Sequence, residues 1–219
     1  MKKKIGVILS GCGFLDGAEI RESILTLLSI DKHGGEAIMF APNIDQYHVI
    51  DHLKGEPVED KRNVLIESAR IARGKIQDIK NINTTELDAL VLPGGFGVAK
   101  NLSTLAFEGP NGQMDEEVKQ VILDIHQKNK PIGVICISPA VICLALGDKH
   151  PEVTIGNDPG TIEAIEAMGG KHVECGPSEA HIDSRLKLVS TPAYMYDDAP
   201  IFEISKGIDK CIEGVFSFL

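Results

Sequence analysis

Short apolar runs alternate along the chain with stretches of helical spacing. Ile5-Gly6-Val7-Ile8-Leu9-Ser10 is almost wholly apolar, the pattern of a strand covered on both faces. It runs into a Gly11-Cys12-Gly13 turn, and Ile20, Ile24, Leu27 and Leu28 then recur at helical spacing over 19–32. Gly34-Gly35 closes that helix, because glycine accepts the left-handed conformation beyond a last turn. Ala37-Ile38-Met39-Phe40-Ala41 predicts a second strand. Over 42–85 the pattern is less regular. Residues 48–57 predict a hairpin or a loop excursion, and 63–73 a helix capped by Asn63 or Asp60 and ended by Gly74. A strand follows at 89–92, then an amphipathic helix at 114–130 with Val118, Val121, Ile122 and Ile125 facing inward. Its acidic start and basic end suit the helix dipole. Beyond it the spacing predicts a strand at 131–135, a helix at 139–146, a short strand at 153–155 and a helix at 161–168. A strand at 186–190 and a helix from 197 to the last residue complete the pattern, with Ile201, Ile204, Ile208, Ile212 and Val215 as the final helix's apolar positions.

This alternation predicts an α/β fold: a doubly wound, mostly parallel sheet sandwiched by helices, flavodoxin-like in class. No linker, repeat or low-complexity segment interrupts it, so 1–219 reads as one domain. Composition agrees. Hydrophobic residues make up 43%, but aromatics only 5% and Trp is absent, leaving a core of Ile, Leu, Val and Ala. The net charge of −10 argues against nucleic-acid binding, which needs clustered Lys and Arg. The apolar run after Lys2-Lys3-Lys4 is too short for a secretion signal, and no run approaches the ~18 residues of a membrane span. Cys12, Cys136, Cys143, Cys175 and Cys211 are odd in number and lack metal-like spacing, which favours free thiols and a cytoplasmic location, with no metal.

Ligands in such sheets bind beyond the carboxyl ends of the strands, so three strand-to-helix turns draw interest. Gly11-Cys12-Gly13 through Glu19 brings backbone close to a ligand. Glu19 there is either a first-turn carboxylate favoured by the helix dipole or a group reaching inward. Pro93-Gly94-Gly95-Phe96-Gly97 is either a plain tight turn or a set of N–H groups aimed at a developing oxyanion. Gly133-Val134-Ile135-Cys136-Ile137-Ser138-Pro139 places Cys136 at a helix start, as a structural thiol or as a nucleophile whose pKa the helix N-terminus lowers. Cys12 could stand near the same pocket.

Taken together, these turns resemble the ThiJ/PfpI superfamily, whose fold is like that of class I glutamine amidotransferases, and within it the ElbB group. That group comprises bacterial proteins described as glyoxalases or as isoprenoid-biosynthesis proteins with an amidotransferase-like domain. The resemblance rests on the first strand and turn with Asp16-Gly17 and Glu19, and on Phe40-Ala41-Pro42 and Arg62-Asn63-Val64-Leu65-Ile66-Glu67. It continues in Leu92-Pro93-Gly94-Gly95-Phe96-Gly97 with Ala99-Lys100-Asn101-Leu102, and in Thr191-Pro192-Ala193-Tyr194-Met195. It implies a cofactor-free, lyase-type glyoxalase, and a deglycase in the extended reading. Cys136 would attack glyoxal or methylglyoxal and give glycolate or lactate through a hemithioacetal. Glu19 is implied as a protonated carboxyl beside the thiolate, because two adjacent anions are costly, and as the proton shuttle. Gly94, Gly95, Ile137 and Cys12 are implied to line the pocket, with the Gly95 and Ile137 N–H groups as oxyanion donors. A homodimer is implied as well.

Other members place a histidine soon after the cysteine. The nearest here is His150, before the 153–155 strand, so slow turnover is expected. The competing class is a redox-sensing or regulatory protein with a reactive cysteine, linked to isoprenoid metabolism. Glutaminase chemistry is disfavoured, since no histidine follows His181, which falls in a loop before a strand.

Overall fold

A computed structural model describes residues 2–219. The strands are β1 (Lys4–Ile8), β2 (Glu36–Ala41), β3 (Ile50–Asp51), β4 (Glu56–Pro57), β5 (Ile76–Asp78), β6 (Ala89–Leu92), β7 (Ile132–Ile135), β8 (Glu152–Val153), β9 (Lys171–His172), β10 (His181–Asp183) and β11 (Leu188–Thr191). The helices are α1 (Ile20–Lys32), α2 (Val64–Ile71), α3 (Phe96–Lys100), α4 (Leu105–Glu108), α5 (Glu116–Gln127), α6 (Ser138–Leu146), α7 (Pro159–Ala167) and α8 (Ile201–Phe216).

Seven strands form one sheet in the order β10-β11-β7-β6-β1-β2-β5, parallel throughout except for antiparallel β10 at one edge. The α/β sandwich expected from the alternation is therefore the observed fold. Alternate residues of each central strand feed two cores. Ile5 and Val7 of β1 and Ala89 and Val91 of β6 pack with α1, α2 and α8. Leu90 and Leu92 of β6 and Ile132 and Val134 of β7 pack with α3, α5, α6 and α7. Burial on both faces is why these strands read as apolar runs rather than as alternations.

One expectation changes. His181 is the first residue of edge strand β10, not a loop residue; the strand is three residues long with Ile182 as its one apolar position, so it carries no strand signal. The apolar row of α1 faces outward: Ile20, Ile24 and Leu28 are exposed, while Glu22, Ser23, Thr26, Ser29 and Ile30 are buried. The inner face can be polar because most of its groups find partners, Thr26 Oγ1 being the exception. Ser29 Oγ donates to Asp209 of α8 at 2.8 Å, and Ser23 Oγ to the Glu19 carbonyl at 2.7 Å.

β7, β6 and β1 are neighbours, so the three turns after them lie side by side at the carboxyl ends. Backbone bonds stitch the turns after β1 and β6 together: Glu19 N–H to Gly94 O at 2.9 Å, Phe96 N–H to Phe14 O at 2.7 Å, and Gly97 N–H to Gly17 O at 2.9 Å. Asn101, buried at the end of α3, ties the first turn down. Its Nδ2 donates to the Ser10 and Asp16 carbonyls, and its Oδ1 accepts from Tyr47 N–H. Lys100 Nζ donates to the Leu15 carbonyl at 2.9 Å. Asn101→Ala would orphan three backbone groups. The expected loss is on the order of 3 kcal/mol of unfolding free energy by urea titration; a loss under about 1 kcal/mol would show that the turn holds without the clamp.

Candidate active site

β7 carries its apolar run straight into Cys136, whose φ of +62° is left-handed. A side chain there costs on the order of 1–3 kcal/mol, so the surroundings must impose the bend. They do so through Cys136 N–H, which donates to Thr191 O of β11 at 2.9 Å, and Ser138 Oγ, which donates to Pro93 O at 2.9 Å. Pro139 then sits in the first turn of α6, where its missing N–H costs no helical bond. The result is a tight strand-to-helix bend with the thiol almost fully buried. Gly94 is required beside it. A Cβ there would lie 2.3 Å from Cys136 Cβ and 2.6 Å from Glu22 Oε2.

The carboxyl facing the thiol is therefore Glu22, not Glu19. Glu19 is the N-cap of α1, and its Oε2 accepts the Glu22 N–H at 2.6 Å. That places Glu22 one turn in, at the position whose side chain often folds back to the N-cap N–H. Here that N–H is already given to Gly94 O, so the Glu22 side chain is released inward. Its Oε2 accepts from Gly94 N–H at 2.9 Å and its Oε1 from Tyr194 N–H at 3.1 Å. Ala193, in a left-handed turn at φ +42°, delivers the second of these. The sequence held a signal for this arrangement: with Glu19 as cap, Glu22 stands on the same side of α1 as Ser23, Thr26 and Ser29.

Burial dominates the electrostatics. It pushes the Glu22 carboxyl up to about 8, with the Glu19 charge adding to the rise and the N–H groups of Tyr194 and Gly94 opposing it. Burial, then the Glu22 charge, pushes the Cys136 thiol well above its usual range. The backbone N–H groups of Gly95 and Ile137 point at Sγ and pull the other way. The expectation that the helix start leaves a lowered pKa is thus overturned: two N–H donors act as anticipated, and burial outweighs them. Carboxyl and thiol share one environment in which a single negative charge is tolerated, so they titrate as a pair.

Cys136 opens onto a cavity of about 650 Å³, which Glu22, fully buried, does not line. Phe14, Phe96, Ile137 and Met195 give the cavity apolar lining, while Glu19, Arg21, Asp158 and Asp197 bring charge to it. Arg21 Nη1 donates to Tyr194 Oη at 3.1 Å across one side. Gly95 and Ile137 line the cavity, but two other residues leave the expected set. Gly94 directs its N–H to Glu22, so it is not free for an oxyanion. Cys12 is not a lining residue; the turn carries it away, towards Glu67, Arg70 and Asp16. No histidine lines the cavity among the described residues. His150 Nδ1 lies 2.9 Å from Gly169 O, and the His150 carbonyl accepts from Arg185, just before β11, at the opposite end of the sheet. Among the described residues no cluster of His, Cys, Asp and Glu is placed to hold a metal, and no helix is long and apolar enough to cross a membrane.

No protein-family model matches the chain. Individual proteins do. The human mitochondrial protein named glutamine amidotransferase-like class 1 domain-containing protein 3 is 44% identical over 222 residues, covering 97% of this chain and 82% of its own. The rat ES1 protein homolog, also named mitochondrial, is 42% identical over 98% of this chain and 83% of its own. The crystal structure of an isoprenoid biosynthesis protein with amidotransferase-like domain from Ehrlichia chaffeensis superposes with a TM-score of 0.93 at 41% identity, covering 99% of both chains. A ThiJ/PfpI domain protein from Brachyspira murdochii, at 14% identity and a TM-score of 0.63, shares the fold. The chain thus belongs to the glutamine amidotransferase-like class 1 family that includes the ES1 proteins.

Proposed function

We propose that the protein is a slow, cofactor-independent glyoxalase in which Cys136 is the nucleophile and Glu22 moves the protons. The observation that carries this reading is the buried carboxyl set against a nucleophile on a left-handed bend, at the head of an open cavity. In the reactive form the thiol has lost its proton and Glu22 keeps one. The thiolate attacks an aldehyde carbon of glyoxal; the carbonyl electron pair moves to oxygen, and Glu22 supplies the proton that gives a hemithioacetal. Once Sγ is covalently bound, the Gly95 and Ile137 N–H groups can serve the developing oxyanion instead. The Glu22 carboxylate then takes the proton from the carbon bearing sulfur. Returning that proton to the adjacent carbon of the enediolate, while the hydroxyl proton beside sulfur passes to the other oxygen, gives the thioester of a hydroxy acid. Water cleaves it, releasing glycolate and restoring the thiol pair, so the sum is glyoxal plus water to glycolate plus a proton. Methylglyoxal gives lactate by the same path.

The alternative of a redox-regulatory thiol draws less support, because a thiol raised by burial is a poor target for peroxide. We read the cytoplasm as the location from the free thiols, and a homodimer as the assembly. The outward row Ile20, Ile24 and Leu28 on α1 is an apolar face that a second copy would cover.

Glycolate formation from glyoxal tests the chemistry. Cys136→Ser should give no product above background, and Glu22→Gln, which keeps the shape but cannot shuttle a proton, should lose on the order of 10²-fold or more. Because the thiolate forms only as the pair first ionises, wild-type turnover should rise with pH from 6 to about 8. Wild-type rates in Glu22→Gln would sink the shuttle. Light scattering on a sizing column should return twice the monomer mass, and Leu28→Glu should halve it; a wild-type monomer would remove the dimer from this reading.

A further inference from the structure

Two carboxyl groups stand one helical turn apart at the head of α1, and only one of them faces the thiol. Their surroundings separate their roles. Glu19 is half-buried, lies at the helix N-terminus where negative charge is favoured, and accepts the 2.6 Å bond from Glu22 N–H. Glu22 is fully buried. When two carboxyls compete in this way, the outer one keeps the charge and the inner one keeps the proton. The cap bond also fixes Glu19, so its charge stands at a set place on the cavity wall.

We propose that Glu19 is an electrostatic positioning residue: its fixed charge disfavours the Glu22 carboxylate and so raises the share of the ionised Cys136–Glu22 pair in which Glu22 keeps the proton and sulfur carries the charge. This deepens the glyoxalase reading but rests only on the paired thiol and carboxyl, not on turnover.

The charged and titratable groups facing Glu22 are few. Glu19 and Arg21 come from its own helix, Cys136 from the bend after β7, and Tyr194 from the turn after β11. Arg21 is exposed and engaged with the Tyr194 hydroxyl, so it offsets Glu19 only across solvent. Asp158 and Asp197 line the cavity, and Asp158 is occupied capping α7 through Thr161 N–H at 2.8 Å. Glu19 is thus the nearest fixed charge to the Glu22 carboxyl. Cys136 feels it less: the charge that acts on the thiol is that of Glu22.

Asp and Asn are equally good N-caps and differ chiefly in charge, which separates the two roles of this residue. The test is the rate of Cys136 alkylation by iodoacetamide from pH 5 to 10, read on the Cys136 peptide by mass spectrometry in wild type, Glu19→Asp, Glu19→Asn and Glu19→Gln. Glu19→Asp should keep the wild-type profile. Glu19→Asn and Glu19→Gln should bring the first midpoint down by about one pH unit, the size expected for charges one turn apart at an effective dielectric near 20–40. They should also lower the plateau rate several-fold, because more of the ionised pair then carries its charge on the carboxylate. One profile shared by the Asp and Asn variants would overturn the proposal and leave Glu19 as a cap alone. If the profiles separate as expected but glyoxal is not consumed, the glyoxalase reading fails and this inference stands.

Discussion

A thiol and a carboxyl buried against one another can share at most one negative charge, and much of this structure serves to make that arrangement possible. The Cys136 side chain reaches the contact only because β11 and Pro93 hold its backbone in a left-handed bend. The Glu22 carboxyl reaches it only because Gly94 has no side chain and because Gly94 O takes the N–H that Glu22 would otherwise cap. Once inside, both carboxyl oxygens need donors, and Gly94 and Tyr194 supply one each. The stitched turns and the Asn101 clamp are therefore part of the site, since a shift of the first turn would move α1 and Glu22 with it.

The same constraint explains why slow chemistry is expected. Burial raises both groups, so at neutral pH most of the pair holds both protons and the nucleophilic form is scarce. A histidine in the cavity would relieve this by taking the thiol proton, and among the described residues none lines it. What the site retains is a means of directing the proton. Carboxyl and thiol are placed so that whichever gives up its proton is stabilised by the other.

Much of the fold was legible because its main signal is burial. β1, β6 and β7 are covered on both faces and read as apolar runs; α5 and α8 show one apolar stripe facing a core. The short polar strands β5, β9 and β10 carry no such signal, and position in the sheet alone defines them. The candidate site was half legible. Glycine-rich turns after three apolar strands marked the place, and Cys136 marked one partner. The other stands three residues beyond the carboxylate nearest the turn, on a helix whose apolar row Ile20, Ile24 and Leu28 does not mark the buried side. Ile20, Ile24 and Leu28 face outward, and the side that enters the protein carries Glu22, Ser23, Thr26 and Ser29. Hydropathy finds a helix's apolar stripe, not the side the fold buries, and here polar groups, of which Glu22, Ser23 and Ser29 have partners, occupy the inside.

The central claim is that Glu22 carries a proton at neutral pH because it is buried against Cys136. Infrared difference spectroscopy of the protein, titrated across pH 4 to 10, measures this directly through the carbonyl stretch of a neutral carboxyl. The account predicts a band that persists at pH 7, titrates near 8, and is missing from Glu22→Gln. A Glu22 band that disappears at about 4.3, the ordinary glutamate range, would contradict it.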